Sequence, residues 1–194
     1  MKTNRLDRMT MIDHPYFHDQ HPVILDEESY KSIIADITKN NVPGSIVNNL
    51  PHKDWAPLIK FVRYVTYSGS TFKFFVPNKY NGWHTYIQFR KEQWLEQIND
   101  RSLNANEVAR LMLWSGDILV HCPCPSFKFW GFQYIMTQLD SAIIPEKRYP
   151  HIRNPQLHGV CCKHLNRTLK VLPFYLGDIA RAVSETRKVI DNTI

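Results

Sequence analysis

LIKFVRYVTYSGSTFKFFVPN, residues 58–78, alternates apolar and polar side chains on both sides of the small turn SGS at 68–70. A period of two is the spacing of a strand with one face inward, and two such runs around a glycine-bearing turn predict a β-hairpin. Downstream, HTYIQF at 84–89 follows the turn-forming NKYNG and predicts a third strand.

From residue 91 the period lengthens to that of a helix. KEQWLEQIND (91–100) and NANEVARLMLWSG (104–116) both carry it, the second with Asn104 as a candidate N-cap, Glu107 three residues on and Gly116 at its end. DILVHC (117–122) then reads as a short strand. FKFWGFQYIMTQLD (127–140) reads as one helix dense in aromatics, and residues 140–160, with Pro145, Pro150 and Pro155, as a loop. CKHLNRTLKVLP (162–173) and YLGDIARAVSETRKVI (175–190) close the chain as two helices. Upstream, DEESYKSIIADITKNN (26–41) predicts a helix that opens on acidic residues and stops at NNVPG. Residues 1–28, polar and broken by Pro15 and Pro22, read as an extended N-terminal arm. The expected organisation is that arm followed by a single α+β domain over 29–194. A small antiparallel sheet fills its first half and helices its second.

Composition narrows the partners. The 194 residues, 43% hydrophobic, suit one packed domain rather than a disordered chain. No stretch approaches the roughly 18 apolar residues of a membrane helix, and MKTNRLDRMTMIDH lacks the apolar core of a signal peptide. No membrane partner and a reducing compartment are therefore expected, where thiols more often serve metal or chemistry than disulfides. A formal charge of +6 and a pI near 9.1 suit an anionic partner. The cations are scattered, however (Lys60, Arg63, Lys73, Arg90, Arg148, Arg187 among them), and an ordinary solvated basic surface accounts for them better than a dedicated phosphate track.

All four cysteines fall in two short stretches, HCPCPSFKFWG at 121–131 and VCCKH at 160–164. Cys122 and Cys124 stand at a strand end entering a turn whose prolines fix the backbone. Cys162 and His164 open a helix with the same spacing. C-x-C followed by C-x-H offers three thiolates and an imidazole, a set that closes a tetrahedral Zn2+ site and would join the strand end to the helix start. Cys161 is an alternative to Cys162, since C-x-x-H is also a ligand spacing; otherwise it is a small core residue. Buried free thiols beside a surface histidine, or a disulfide between the two stretches, are the plainer readings. His121 and His158 border the site and are alternative ligands, though adjacent histidines more often serve as surface or supporting groups. His14, His18 and His21 lack a matching Cys or carboxylate framework and read as decoration of the arm.

CPCPSFKFWG and CCKHLNRTL resemble the two halves of the SWIM zinc-binding module, C-x-C-P-x-F and C-K-H at a helix start. The resemblance implies Cys122, Cys124, Cys162 and His164 as ligands. This chain departs from the module by inserting an aromatic helix and a loop between the halves, which costs little because loop-closure entropy grows only logarithmically with length. Over roughly residues 99–176, NDRSLNANEVARLMLWSGDILVHCPCPSFKFWGFQYI and RYPHIRNPQLHGVCCKHLNRTLKVLPF are also similar to a group of virion structural proteins of tailed bacteriophages. That similarity implies a particle component at the head-to-tail connector, tail or baseplate. It would be made in the host cytoplasm, end in the virion, and touch other virion proteins in a symmetric assembly.

Phe127, Phe129, Trp130, Phe132 and Tyr134 offer rings that stack bases in some nucleic-acid modules, though at helical spacing they suit a core or subunit contact better. A zinc-containing nucleic-acid-binding protein is the alternative function, implied by the SWIM resemblance, since such modules also occur in proteins that touch DNA, and the basic charge leaves room for it. Enzyme signatures are missing: the sequence has no H-x-E with P-C-x-x-C, no H-E-x-x-H, no Walker A loop and no G-x-S-x-G. Four protein ligands also leave a zinc ion no open position for a reacting water. A non-enzymatic role is the expectation.

Overall fold

The computed structural model describes residues 59, 61–78, 81–155, 157 and 161–193. The arm over 1–28, with His14, His18 and His21, and the helix expected over 26–41 lie outside the described residues, as does His158.

Among the described residues, four strands form one antiparallel sheet in chain order: β1 (Arg63–Ser68), β2 (Thr71–Val76), β3 (Trp83–Phe89) and β4 (Ile118–His121). The β1–β2 turn is the two residues Gly69 and Ser70. Gly69 takes φ +56 while Ser70 does not turn positive, the combination of a type II′ turn that matches the twist of a hairpin. Alternation then sorts the sheet. Phe72, Phe74 and Val76, Thr85, Ile87 and Phe89, and Ile118 and Val120 are all buried on one face. The third strand begins at Trp83, one residue earlier than its sequence pattern, because Trp83 pairs with Val76 and turns the same way as Thr85.

Between β3 and β4 the chain makes α1 (Lys91–Asn99) and α2 (Ala105–Ser115). The stacked rings of Phe89 and Trp94, 5.8 Å apart and within 2° of parallel, fasten α1 to the sheet, and Phe72 meets Trp94 edge-on at 5.9 Å. Asn104 caps α2 as its sequence predicts: its side chain accepts from the Glu107 N–H while Glu107 accepts from the Asn104 N–H at 2.7 Å. The excursion brings β4 back antiparallel to β3, with Ile87 opposite Val120 and Phe89 opposite Ile118.

The single aromatic helix expected over 127–140 is instead two, α3 (Pro125–Phe129) and α4 (Phe132–Gln138). Gly131 breaks it at φ +91, with Pro150 packed so close that a Cβ there would stand 2.5 Å from the proline ring. Only glycine fits both conditions. Residues 140–155 carry no helix or strand beyond a bridge from Val120 to Ala142, as the prolines predict. The chain closes with α5 (Lys163–Val171), a 3-10 turn at Leu172–Tyr175 containing Pro173, and α6 (Leu176–Asp191). Thr168 of α5 meets Thr85 of β3 at 2.8 Å, and the Tyr175 hydroxyl donates to the Val62 carbonyl, so these elements cover the buried face of the sheet. No helix among the described residues is long and apolar enough to cross a membrane.

Arg187 of α6 donates to the carbonyls of Ile98 at 2.9 Å, Leu103 at 2.9 Å and Asp100 at 2.6 Å. These are carbonyls at and beyond the end of α1 that no helical N–H satisfies, and a cation there also suits the helix dipole. Arg187→Ala is expected to cost about 1.5–3 kcal/mol in chemical denaturation, since hydrogen bonds to a charged donor are the stronger kind. Arg187→Lys should recover only part of it, because one ammonium cannot reach carbonyls spread over a planar fork.

Candidate metal centre

Strand β4 leads out of the core through His121 into Cys122-Pro123-Cys124-Pro125. Pro125 occupies the first turn of α3, where its missing N–H costs nothing, and Cys124 is the N-cap. The Cys124 sulfur accepts the Phe127 N–H at 3.3 Å. Across the core, Cys162 is the N-cap of α5 and His164 lies in that helix's first turn. Each stretch thus stands at the start of a helix, and at the first of them a free N–H is turned toward sulfur.

The two ends meet. The ligand atoms of Cys122, Cys124, Cys162 and His164 all lie within 4.8 Å of one another, and all four residues are buried. Cys122 Sγ and His164 Nδ1 are 3.9 Å apart. A tetrahedral ion with metal–sulfur bonds of about 2.3 Å sets its sulfurs about 3.8 Å apart, so small inward shifts would complete the coordination. The cluster therefore could hold a metal ion, and it joins the end of β4 to the start of α5.

Its electrostatics favour a cation. Burial pushes the Cys122 and Cys162 thiols well above their ordinary range. The Cys124 thiol is held well below it by the hydrogen bonds that Cys122 and Cys162 direct at it, with His164 adding to the effect. Two thiols thus direct their protons at a third sulfur, and a dication bound among them would displace those protons. Three thiolates and a neutral imidazole around a dication leave a net charge of about −1. Half-buried Lys163 stands beside the cluster: burial lowers its ammonium, and Cys124 and Cys162 act in the opposite sense.

Cys161 is fully buried but is not among the four clustered groups, and burial pushes its thiol up to about 12. All four cysteines are free thiols. His121 stands beside the cluster rather than in it, its ring edge-on to Phe127 at 5.7 Å and tilted against Tyr86 at 6.0 Å. Of the aromatics that follow, Phe127 and Phe132 are core residues, Trp130 and Tyr134 are half-buried, and Phe129 is 62% exposed. Lys163 was the group that spacing did not mark. Its position inside C-K-H, at the first residue of a helix, was the available signal. Compared with family models, with curated proteins and with solved structures, the chain matches none.

Proposed function

We propose that this chain is a non-enzymatic structural protein in which a zinc ion, bound by Cys122, Cys124, Cys162 and His164, staples β4 to α5. The observation that carries the reading is the burial of three sulfurs and one imidazole within 4.8 Å. Thiolates with imidazole in a tetrahedral set suit zinc among the common divalent ions, and a closed set has no position for a substrate. Metal analysis of the purified chain should find about one zinc per chain, and a strong chelator should lower its melting temperature. A native chain without metal would end the reading.

The place of such a protein is the particle of a tailed bacteriophage, at the head-to-tail connector, tail or baseplate, among other virion proteins in a symmetric assembly. What supports this is the resemblance read from the sequence over roughly residues 99–176. A mass-spectrometric inventory of purified virions tests it, and absence of the chain from them would remove it.

A second reading, a zinc-containing nucleic-acid-binding protein, has an observation of its own. The sheet face opposite the one that α1 and α5 cover carries Arg63 and Lys73 beside Phe75 and Tyr86.

A further inference from the structure

Residues directly opposite in neighbouring strands share a face. Arg63 is opposite Phe75 and Phe75 opposite His84; Lys73 is opposite Tyr86 and Tyr86 opposite His121. These six side chains therefore stand together. Among the described residues, α1, the 3-10 turn and α5 touch the other face, where Trp94 lies against Phe72, Tyr175 against Phe74 and Thr168 against Thr85, while α3 reaches the His121 edge of this one through Phe127. Arg63 is exposed, while Lys73, Phe75, His84 and Tyr86 are half-buried.

The chemistry of this face is one-sided. None of the four strands contains an Asp or Glu. The Arg63 guanidinium carbon lies 5.5 Å from the centre of the Phe75 ring, and the Lys73 ammonium 5.9 Å from that of Tyr86. His84 packs on Phe75 at 5.5 Å, and burial, with Lys73 and Arg63 beside it, lowers its imidazole, which leaves the positive charge of the face to those two cations. Phe75 and Tyr86 are diagonal neighbours on the two central strands, about 7–8 Å apart, so consecutive bases of one strand can take one ring each.

We infer that this face is a docking platform for single-stranded nucleic acid, with bases stacked on Phe75 and Tyr86 and the backbone phosphates drawn to Arg63 and Lys73. The inference rests on the second reading above and gives it a location. A four-stranded antiparallel sheet with rings on its central strands is a known solution for unpaired bases, because every base has a π-face and a flat sheet presents rings to it. A duplex keeps its bases stacked on one another and offers these rings nothing. An acidic peptide would use the two cations and leave the rings idle.

The 194-residue chain, supplied with zinc, is titrated into fluorescein-labelled oligothymidylate, oligouridylate and a duplex of equal length, with binding followed by fluorescence anisotropy at low salt. The single strands should bind more tightly than the duplex, and preference between them tells DNA from RNA. Phe75→Ala and Tyr86→Ala should each weaken single-strand binding by roughly 5- to 150-fold, while Tyr86→Phe keeps it. Lys73→Ala should reduce the salt slope by about 0.7, the share of one phosphate on a single strand. Zinc content and melting temperature report whether each variant folds; should the alanine variants not fold, charge reversal at exposed Arg63, Arg63→Glu, must still weaken binding. If the folded variants bind single strands as well as the parent does, nucleic acid binds elsewhere and this face is not the platform. If the parent chain binds neither oligonucleotide, the platform and the nucleic-acid reading both fall.

Discussion

Cys162→Ser is expected to strip the metal from the chain and unfold it at markedly lower temperature. A structural zinc ion contributes binding free energy on the order of 10 kcal/mol that is coupled to folding, and removing one thiolate forfeits much of it. The fall is steep here because the cluster is buried. It leaves two further thiols, an imidazole and the half-buried Lys163 around a site with nothing to organise them. The neighbouring Cys161→Ser should keep the metal and cost only roughly 1–3 kcal/mol, the burden of burying one poorly paired hydroxyl. Metal content and thermal melting of the two variants, measured side by side, check the assignment. A severe Cys161→Ser with a mild Cys162→Ser would move the ligand by one residue, and no change in either variant would remove the staple altogether.

The next largest effect belongs to the ring cluster under the hairpin. Phe72 is buried at the centre of four aromatic neighbours: Tyr64 at 6.5 Å, Tyr67 at 5.9 Å, Phe89 at 5.7 Å and Trp94 at 5.9 Å. Those rings come from β1, β3 and α1, so they cannot all close on the space that a lost phenyl leaves. Phe72→Ala should cost about 3–5 kcal/mol in denaturant unfolding, and Phe72→Leu, which refills most of the volume, well under half of that. Zinc content should be unchanged in both folded variants, because no ring of this cluster belongs to a proposed ligand. Loss of zinc from folded Phe72→Leu would show instead that ring packing and metal site are one cooperative element.

Much of this architecture was legible in short windows of sequence. The alternation of TFKFFV and HTYIQF determined which side chains of β2 and β3 face the core, since a strand's period of two admits one answer once one face is buried. Asn104 with Glu107 marked the start of α2 because a capping box is complete within four residues. The paired spacing of Cys122 with Cys124, and of a cysteine at 161 or 162 with His164, singled out the cluster that the fold gathers.

The tertiary structure decided what depends on partners distant in the chain. The aromatic run from Phe127 looked like one helix because its own spacing is helical; Pro150, pressed against Gly131, is what divides it. Arg187 counted only as one more scattered positive charge until α6 was laid beside the end of α1 and its open carbonyls. Between the two vicinal cysteines spacing allowed either, and the choice falls to Cys162 because it caps α5 while Cys161 is buried outside the cluster. A pattern within a turn or two of chain is set by backbone geometry and side-chain period. Which distant segment fills, caps or charges a site is set by the packing of the whole core, and that is written in no single stretch.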